Sequence, residues 1–361
     1  MTARAIAVVL HDFASGGSER IAIRLANHWA EKGRSVTLIC GEAAGPLGDL
    51  VSARVRVTET GATIPRGPGS RKRMAAALAA WADREQPDTL FFPGNYHIPI
   101  ADGIARRAAR PALVAKLSNP LKRADRGALR QFLFDRVMAR RLARFDGLVS
   151  MAPALTPDIE RLTGAGTVTG IAEPTLADDL PPPVPADAVS RRILAAGRLV
   201  PQKNFSLALR AFAALPDDAT LTILGDGPER APLLALAQTL GIADRVSLPG
   251  HVPDIGPWLD DARLFLLSSV YEGYPAVVVE SLAHGRPVAT TDSSPALRTL
   301  LPTPEHGLIA ATEGELGVAL LALLQRKPPD PMMLADSVGH HRIAAVSKAY
   351  LRLFDGLTVS A

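Results

Sequence analysis

Residues 264–292 read LFLLSSVYEGYPAVVVESLAHGRPVATTD and carry the signals of a strand, a helix and a second strand. The four apolar residues Leu264 to Leu267 suit a buried strand. Pro275 suits the first turn of a helix, and the apolar run around Glu280 continues it. A second strand then starts at Val288. The stretch therefore predicts one strand-helix-strand unit of a parallel sheet.

The same alternation of strand and helix patterns occurs along the whole chain. In the first half, strands are predicted at Ile6 to Leu10, Val36 to Cys40, Val55 to Thr58, Thr89 to Phe92, Leu113 to Leu117 and Gly147 to Ser150. Helices are predicted around Glu19 to Glu31, Lys72 to Arg84, Ile98 to Arg110 and Ala128 to Arg144. The second half has strand patterns at Ile193 to Ala196, Leu221 to Leu224, Val246 to Leu248, Leu264 to Leu267 and Val288 to Thr290. The fold class is therefore α/β, with two Rossmann-like parallel-sheet domains.

A proline-rich stretch divides the two halves. It runs from Pro174 to Pro185 and contains Pro181, Pro182 and Pro183 in succession, which suits a stiff extended linker. We therefore predict a first domain over 1–173, a linker over 174–190, a second domain over 191–336 and a C-terminal segment over 337–361. The helix expected in that last segment could pack back on the first domain.

Length and composition exclude several classes of protein. The chain has 361 residues, of which 47% are hydrophobic, enough for two sizeable cores. Cys40 is the only cysteine, so no internal disulfide can form. No apolar run approaches the roughly 18 residues of a membrane-spanning helix, and the opening run is too short for a signal peptide. We expect a cytoplasmic protein, at most peripheral on the inner face of a membrane.

Charge is unevenly distributed. Residues 1–170 carry 25 Lys and Arg against 15 Asp and Glu, whereas residues 171–361 carry 15 against 21. Most of the excess lies in residues 106–144, which contain twelve basic residues and only two acidic ones, Asp125 and Asp135. Two interpretations stay open, an anionic membrane or acceptor surface and a solvated helix face. Nucleic acid is not expected, because Phe132, Phe134 and Phe145 are interpreted as helix-core positions rather than stacking platforms.

Three loops after predicted strands could bind an anion, because ligands of parallel sheets lie beyond the carboxyl ends of strands. Gly16 and Gly17 precede the first helix, although such a pair is often only a turn. Arg198 and Lys203 follow a strand and open the next helix, where a diphosphate would meet both cations. Two solvated loop cations are the alternative.

The loop Gly225-Asp226-Gly227-Pro228-Glu229-Arg230 resembles the start of a dinucleotide fingerprint. Arg230 occupies the position of the third glycine, which disfavours an NAD site. Glu272 and Glu280 are eight residues apart, the first in the loop before a helix and the second inside it. A glutamate among valines is costly to bury unless it is hydrogen-bonded, and ligand hydroxyls are natural partners. A buried structural pair is the alternative.

Taken together, these elements resemble the retaining GT-B glycosyltransferases of family 4, also called glycosyl transferases group 1. The resemblance covers nearly the whole chain and is strongest from Gly197 to Asp292, where Gly-Arg-Leu…Lys-Asn, Gly-Asp-Gly-Pro-Glu and Glu-x7-Glu occur in family order. It implies two domains that face each other across a cleft. It also implies transfer of a sugar from a nucleoside-diphosphate sugar to a glycan or lipid-linked acceptor, with retention of anomeric configuration.

The resemblance assigns roles to residues. Arg198, Lys203 and Glu272 would be catalytic, the two cations on the donor diphosphate and Glu272 on the transferred sugar. Donor binding would involve Gly16, Gly17, Gly225, His251, Val252, Gly273, Tyr274, Pro275 and Glu280, with Glu280 on the ribose and the backbone at His251 and Val252 near the base. No metal and no cofactor are expected.

The sequence departs from the family pattern at two places. Many relatives have a histidine after the strand that corresponds to Leu113 to Leu117, where this chain has Ser118 and Asn119. Ser118, Asn119 and His97 are the acceptor-side candidates. Thr299 stands where relatives often have a glutamate. The alternatives are a non-catalytic sugar-nucleotide-binding protein or a GT-B sugar-nucleotide epimerase. A phosphorylase would need a lysine poised for pyridoxal phosphate, and no such motif is evident in this sequence.

Overall fold

The computed structural model describes residues 2–14, 16–107, 109–118, 121–122 and 126–359. The chain forms two compact units. The first unit comprises Met1–Pro174 together with Ile343–Ala361, and the second comprises Thr175–Arg342. Within the described ranges, no helix has the length and apolar character needed to cross a bilayer.

The first unit is built on a seven-stranded parallel sheet in the order β3-β2-β1-β4-β5-β6-β7. Its strands are β1 (Ala5–Val9), β2 (Ser35–Cys40), β3 (Arg56–Glu59), β4 (Thr89–Phe92), β5 (Ala112–Leu117), β6 (Gly147–Ser150) and β7 (Val168–Gly170). Six of them match the predicted strands to within two residues at each end. The seventh, β7, was not predicted because three residues at a sheet edge leave no periodic pattern.

Helices cover both faces of this sheet. They are α1 (Gly17–Glu31), α2 (Ser70–Glu85), α3 (Ala128–Leu142), α4 (Thr156–Thr163) and, from the end of the chain, α12 (Ile343–Val359). On one face, Trp29 of α1 packs edge-on against Phe354 of α12 and Phe91 of β4, with ring centroids 5.2 Å and 5.7 Å away. Such aromatic pairs add to the free energy gained by burying their area. The C-terminal helix is therefore part of the first unit's core.

The helix predicted over Ile98 to Arg110 is wrong. A 3₁₀ helix spans only Ile98–Gly103. A Cβ at Gly103 would lie 1.9 Å from the carbonyl oxygen of Ala75 on α2, so the backbone of this segment presses directly on the neighbouring helix. Close packing at a glycine, not the apolar pattern, decides the local geometry.

The second unit repeats the scheme with six parallel strands in the order β10-β9-β8-β11-β12-β13. Its strands are β8 (Arg192–Ala196), β9 (Thr220–Leu224), β10 (Val246–Gly250), β11 (Leu264–Leu267), β12 (Val288–Thr291) and β13 (Gly307–Ala310), the last not predicted. Its helices are α5 (Phe205–Ala213), α6 (Arg230–Thr239), α7 (Gly256–Asp261), α8 (Ala276–Ala283), α9 (Leu297–Leu300), α10 (Glu313–Gln325) and α11 (Pro331–Ser337). Both sheets have the doubly wound order of Rossmann-like folds.

The proline-rich stretch lies against the second unit. Arg286 is fully buried, and its guanidinium donates to the carbonyl oxygens of Val184, Leu259 and Asp260, each at 2.7 Å. Leu176 N donates to His341 O at 3.1 Å, which ties the start of the stretch to the end of the same unit.

In each sheet the strand order reverses at the first strand of the unit. In the first unit, β1 lies between β2 and β4, and in the second, β8 lies between β9 and β11. Loops after the strands on either side of such a switch point diverge and leave a crevice at the carboxyl edge of the sheet. The loops after β1 and β4, and those after β8 and β11, are therefore the places to look for ligand-binding residues.

Candidate functional site

The loop after β8 carries the two predicted cations of the second unit. Pro201–Lys203 forms one 3₁₀ turn, and Asn204 adopts the left-handed conformation, φ 48°, directly before α5. Asparagine is one of the few residues other than glycine that take this conformation readily. This turn places Lys203 at the amino end of α5.

Lys203 is bound to the loop on the other side of the switch point. Its Nζ donates to Glu272 Oε1 at 2.6 Å, and Ser269 Oγ donates to the same oxygen at 2.6 Å. Only 18% of the Lys203 side chain and 10% of the Glu272 side chain are exposed. Charge-assisted hydrogen bonds of this length are strong, so the network fixes both side chains.

Backbone hydrogen bonds hold the Glu272 loop to its neighbours. Val270 N donates to Gln202 O at 2.8 Å, and Gln202 Nε2 donates to Tyr271 O at 3.0 Å. Glu272 N donates to Ser293 O at 2.7 Å, in the loop after β12. Three loops at one sheet edge thus form a single hydrogen-bonded assembly.

Arg198 differs from Lys203 in its surroundings. Its side chain is exposed, and no hydrogen bond or ion pair engages its guanidinium within the described part of the chain. One predicted cation is therefore neutralised by Glu272, while the other is available to an anion without breaking a protein contact.

Gly225 allows the loops after β8 and β9 to meet. Its φ is +129°, and a Cβ there would lie 1.9 Å from the carbonyl oxygen of Gly197. Gly225 N donates to Gly250 O at 2.8 Å, next to His251 and Val252. His251 is exposed and Val252 half-buried at this edge.

The remaining donor-side candidates lie around the start of α8. Pro275 is the N-cap residue of α8, rather than its first-turn residue, and Glu280 is half-buried in the second turn. Tyr274 Oη lies 3.0 Å from His341 Nε2, and Gly273 O accepts a bond from Ser294 Oγ at 3.4 Å. The Gly273 to Pro275 segment therefore continues the assembly around Glu272.

In the first unit, Gly16 and Gly17 stand at the amino end of α1. Gly16 is the N-cap residue. A Cβ there would lie 2.0 Å from Glu19 Oε2, so the Glu19 carboxylate lies over Gly16. An anion that approached the positive end of this helix would meet a carboxylate first, and the predicted approach of a diphosphate needs Glu19 to move.

Arg66 connects the loops after β1, β3 and β4. Its guanidinium donates to both carboxylate oxygens of Asp12, at 2.7 Å and 2.9 Å, and to Glu19 Oε1 at 3.1 Å. It also lies over the ring of Tyr96, 4.5 Å from the centroid. Burial works to raise the pKa of Asp12, but the hydrogen bonds from Arg66 and from Ala14 N outweigh it and lower that pKa.

Two histidines are buried beside this cluster. Burial, with Arg66 and His11 nearby, lowers the pKa of His97 to about 3. Burial also lowers the pKa of His11, opposed by the carbonyl of Pro65. Neither ring nitrogen of His97 has a hydrogen-bond partner in the described ranges. His97 is therefore neutral near pH 7 and keeps one donor and one acceptor unused.

Ser118 belongs to the same edge of the sheet, whereas Asn119 lies outside the described residues. A Cβ at Gly94 would lie 2.9 Å from Ser18 Oγ and 3.1 Å from Ser118 Oγ, so the loops after β4 and β5 meet the start of α1. Ser118 N donates to Asn95 Oδ1 at 2.9 Å. The hydroxyls of Ser18 and Ser118 thus both border Gly94 at this edge.

Each unit thus gathers its predicted residues at the carboxyl edge of its own sheet. Sequence reasoning missed the residues that hold them in place, namely Asp12, Arg66, Ser269 and His341. Arg66 is 54 residues from Asp12, and the bond from Ser269 to Glu272 depends on how the loop after β11 folds. No local pattern signals either partnership.

Two family models match the chain. One, described as "Glycosyl transferase 4-like domain", matches residues 16–168, and the other, "Glycosyl transferases group 1", matches residues 190–326. Together they cover most of both units. They agree with the resemblance carried by the motifs from Gly197 to Asp292.

Curated relatives align over shorter segments. The N-acetylgalactosamine-N,N'-diacetylbacillosaminyl-diphospho-undecaprenol 4-alpha-N-acetylgalactosaminyltransferase of Campylobacter jejuni is 37% identical over 123 residues, 34% of this chain and 34% of its own length. The lipopolysaccharide core biosynthesis glycosyltransferase LpsE of Rhizobium meliloti is 37% identical over 135 residues, 37% of each chain. The matched part thus spans about a third of the length of these relatives.

Solved structures match the whole chain at low identity. The lipopolysaccharide outer core galactosyltransferase WaaB has a TM-score of 0.78 at 15% identity, with 96% of this chain and 97% of that chain covered. Anabaena Alr3699/HepE in complex with UDP has a TM-score of 0.78 at 17% identity, with 98% and 100% covered. These likenesses establish the GT-B fold class. Both family models match in order along the chain, so it belongs to the glycosyl transferase 4-like and glycosyl transferases group 1 families, and its fold is of the GT-B class.

Proposed function

We propose that this protein transfers a hexose-type sugar from a nucleoside-diphosphate sugar to a glycan or lipid-linked acceptor, with retention of anomeric configuration. The observation that carries the proposal is the network of Lys203, Glu272 and Ser269 at the switch point of the second unit, with Arg198 exposed beside it. This network joins a cation to a carboxylate at the carboxyl edge of the sheet, where doubly wound α/β folds bind phosphorylated ligands. The name of the Rhizobium relative supports a role in lipopolysaccharide assembly, and the name of the Campylobacter relative supports a lipid-linked acceptor.

The chemistry of transfer explains why these residue types suit the site. The bond between the anomeric carbon and the diphosphate oxygen breaks, and its electron pair leaves with the nucleoside diphosphate. A bond from the acceptor oxygen to the same carbon forms, and the acceptor proton goes to the leaving phosphate. Negative charge therefore develops on the diphosphate, where Arg198 and Lys203 would stabilise the transition state. In this proposal, which invokes no metal ion, Arg198 meets the leaving group as it stands, whereas Lys203 exchanges its contact with Glu272 for the diphosphate.

The donor would lie along the carboxyl edge of the second unit. Glu280 would accept hydrogen bonds from the ribose hydroxyls, and the backbone from Gly273 to Pro275 would hold the transferred sugar. Gly225 lets the loop after β9 lie directly against Gly197, and the neighbouring segment at His251 and Val252 would border the base. A structural relative crystallised with UDP makes uridine nucleotides the first donors to test.

The acceptor would bind the first unit. Ser18 and Ser118 supply hydroxyls at the edge of the sheet, and the buried, neutral His97 has two unused ring nitrogens that an acceptor hydroxyl would reach only after the surrounding loops move. Neutral donors and acceptors of this kind suit the hydroxyl groups of a carbohydrate. The basic residues of 106–144 would bring the protein to an anionic membrane surface, where lipid-linked acceptors reside.

A donor panel tests the proposal. Purified protein is incubated with UDP-, GDP- and ADP-sugars, and release of free nucleoside diphosphate is measured without acceptor, where slow hydrolysis is expected. Lys203→Ala and Glu280→Ala should abolish the release, whereas Lys327→Ala, an exposed lysine of the same unit, should not. Unchanged rates in the first two variants would overturn the assigned roles. Tight binding of a nucleotide sugar without turnover would instead indicate a non-catalytic binding protein, and conversion to an isomeric sugar nucleotide would indicate an epimerase.

A further inference from the structure

Helix α3 of the first unit presents an apolar surface to solvent. Leu129 is 72% exposed, Phe132 and Leu133 are each 55% exposed, and Val137 is 46% exposed. In an α-helix these four positions fall on one side, across three turns. The interpretation of Phe132 as a helix-core residue is therefore wrong. The opposite side carries the buried contacts of α3, through Met138 and Leu142.

This cluster differs from other exposed apolar residues of the protein. Elsewhere in the described ranges, large exposed apolar side chains stand singly or as neighbours in a loop, such as Val318 on α10 and the pair Val270 and Tyr271. Isolated exposed apolar residues are common on protein surfaces, whereas several on one helix face indicate a binding surface.

The charges on the same face are all positive. Arg130, Arg136 and Arg140 are exposed and are not among the arginines that form ion pairs in the described structure. Arg136 lies 5.7 Å from the ring centroid of Phe132, one turn away. The only carboxylate on α3, Asp135, is engaged by Arg161 at 2.7 Å and by Gln131 at 2.6 Å.

Other arginines of 106–144 are already neutralised. Arg107 pairs with Asp83, Arg110 with Asp146, and both Arg141 and Arg144 with Asp102. The positive surface of this segment is therefore smaller than the residue count indicates, and on α3 it coincides with the apolar positions.

We propose that helix α3 docks on an anionic lipid bilayer, with Leu129, Phe132 and Leu133 inserted among the acyl chains and Arg130, Arg136 and Arg140 at the phosphates. Arginine side chains are long enough to reach the headgroups while their helix lies at the boundary. A second copy of the chain is a poor occupant, because two such faces would bring six unpaired cations together. A bilayer offers both an apolar phase and fixed negative charge.

Insertion of α3 extends the membrane contact of the proposed function, and it rests on that function only in taking the membrane to be anionic. Electrostatic contact alone needs no exposed phenylalanine and disappears at high salt, whereas insertion leaves a salt-resistant part. Vesicle binding and donor hydrolysis are separate measurements, and α3 carries none of the donor-site candidates. Failure of one proposal therefore leaves the other standing.

The test is co-sedimentation of the full chain with vesicles of 70% phosphatidylcholine and 30% phosphatidylglycerol, at low salt and at about 0.5 M salt. Phe132→Ser with Leu133→Ser should weaken binding by about tenfold or more at both salt concentrations, because both apolar anchors are lost. Arg136→Gln with Arg140→Gln should weaken binding mainly at low salt. Val318→Ser, a matched exposed position of the second unit, should bind as the unmodified protein does.

A fluorescent reporter separates insertion from surface contact. Phe132→Trp should show a blue-shifted emission on addition of the same vesicles, with no shift on phosphatidylcholine alone. Absence of vesicle binding, or equal binding by the Phe132→Ser and Leu133→Ser double variant, would overturn the proposal. So would a dimer in light scattering that this double variant converts to monomer, because the face would then belong to a second copy.

Discussion

Lys203 and Glu272 form an ion pair between loops that are 69 residues apart, with Nζ 2.6 Å from Oε1. Glu272→Gln keeps the shape of the side chain and removes its charge. We expect donor hydrolysis to fall by about 100-fold in kcat, because a preorganised charged group is lost from the reacting centre. The measurement is nucleoside diphosphate release at saturating donor. Asp217→Asn, at a fully exposed carboxylate, is the control, and equal activity of both variants would contradict the role of Glu272.

Ser269 positions Glu272 through the hydrogen bond from its hydroxyl. Ser269→Ala leaves the Lys203 contact in place and removes one of two bonds to the same oxygen. We expect donor hydrolysis to fall by about tenfold, since the carboxylate gains freedom to move. Ser269→Thr should restore most of the rate, because it returns the hydroxyl. An alanine variant as active as the original protein would show that Lys203 alone orients Glu272.

The backbone conformation at position 225 requires a glycine. Gly225→Ala introduces a Cβ at φ +129° and 1.9 Å from a carbonyl oxygen. We expect a loss of about 3 kcal/mol or more in the free energy of unfolding, measured by urea denaturation. Gly314→Ala is the matched control. Gly314 lies in α10 with open space around its Cβ position, so alanine there should be neutral or stabilise by up to about 1 kcal/mol.

His97 makes stability depend on pH in the acidic range. Its folded pKa of about 3 lies below the ordinary histidine pKa of 6.5, so only the unfolded chain binds the proton between these values. Stability from this group is complete above pH 6.5 and is lost as the pH falls, by about 1.4 kcal/mol per pH unit. His97→Leu should reduce the slope of unfolding free energy against pH by about that amount between pH 6 and 4. The exposed His251→Leu serves as control, and an unchanged slope in His97→Leu would refute the assignment.

Lys116 and Glu173 form a buried ion pair in the first unit, with Nζ 2.5 Å from Oε2. Lys116→Met removes the ammonium that contacts Glu173 Oε2, and we expect a loss of about 3–5 kcal/mol in unfolding free energy because a buried carboxylate loses a close opposite charge. Adding Glu173→Gln should recover part of that loss, because the second variant removes the carboxylate charge as well. Denaturation of the single and double variants measures the coupling, and additive losses would mean that the pair does not interact.

Much of the fold could be predicted because strand and helix patterns are local. The apolar runs of β1, β8 and β11 occupy the central strands, where both faces are covered, so their sequences are nearly continuous in apolar residues. The edge strand β7 was missed because it has only three residues, two of them exposed, and β13 was missed because it is only four residues long, although its residues are buried or half-buried. The helix over Ile98 to Arg110 was wrong because contact of Gly103 with another helix is not a local property.

The candidate site divides in the same way. Arg198, Lys203, Glu272 and Glu280 could be selected from the sequence, because each stands in a loop or helix directly after a predicted strand. The network that neutralises Lys203 and the cluster of Arg66, Asp12 and Tyr96 could not. Their partners come from different strands, and only the strand order brings those loops to one edge.

The sequence by itself determined the two parallel sheets, the order of the motifs and the family. The apolar runs of buried strands and the spacing of glycines and charges are local features of a sequence. Tertiary structure alone decided which charges are neutralised and which apolar residues are exposed. Helix α3 illustrates the reason: it has apolar residues on both faces, at Phe132 and at Met138, and only packing selects which face is buried. A periodic pattern shows which residues share a face of a helix, while the contacts of the folded chain decide which face is exposed to solvent.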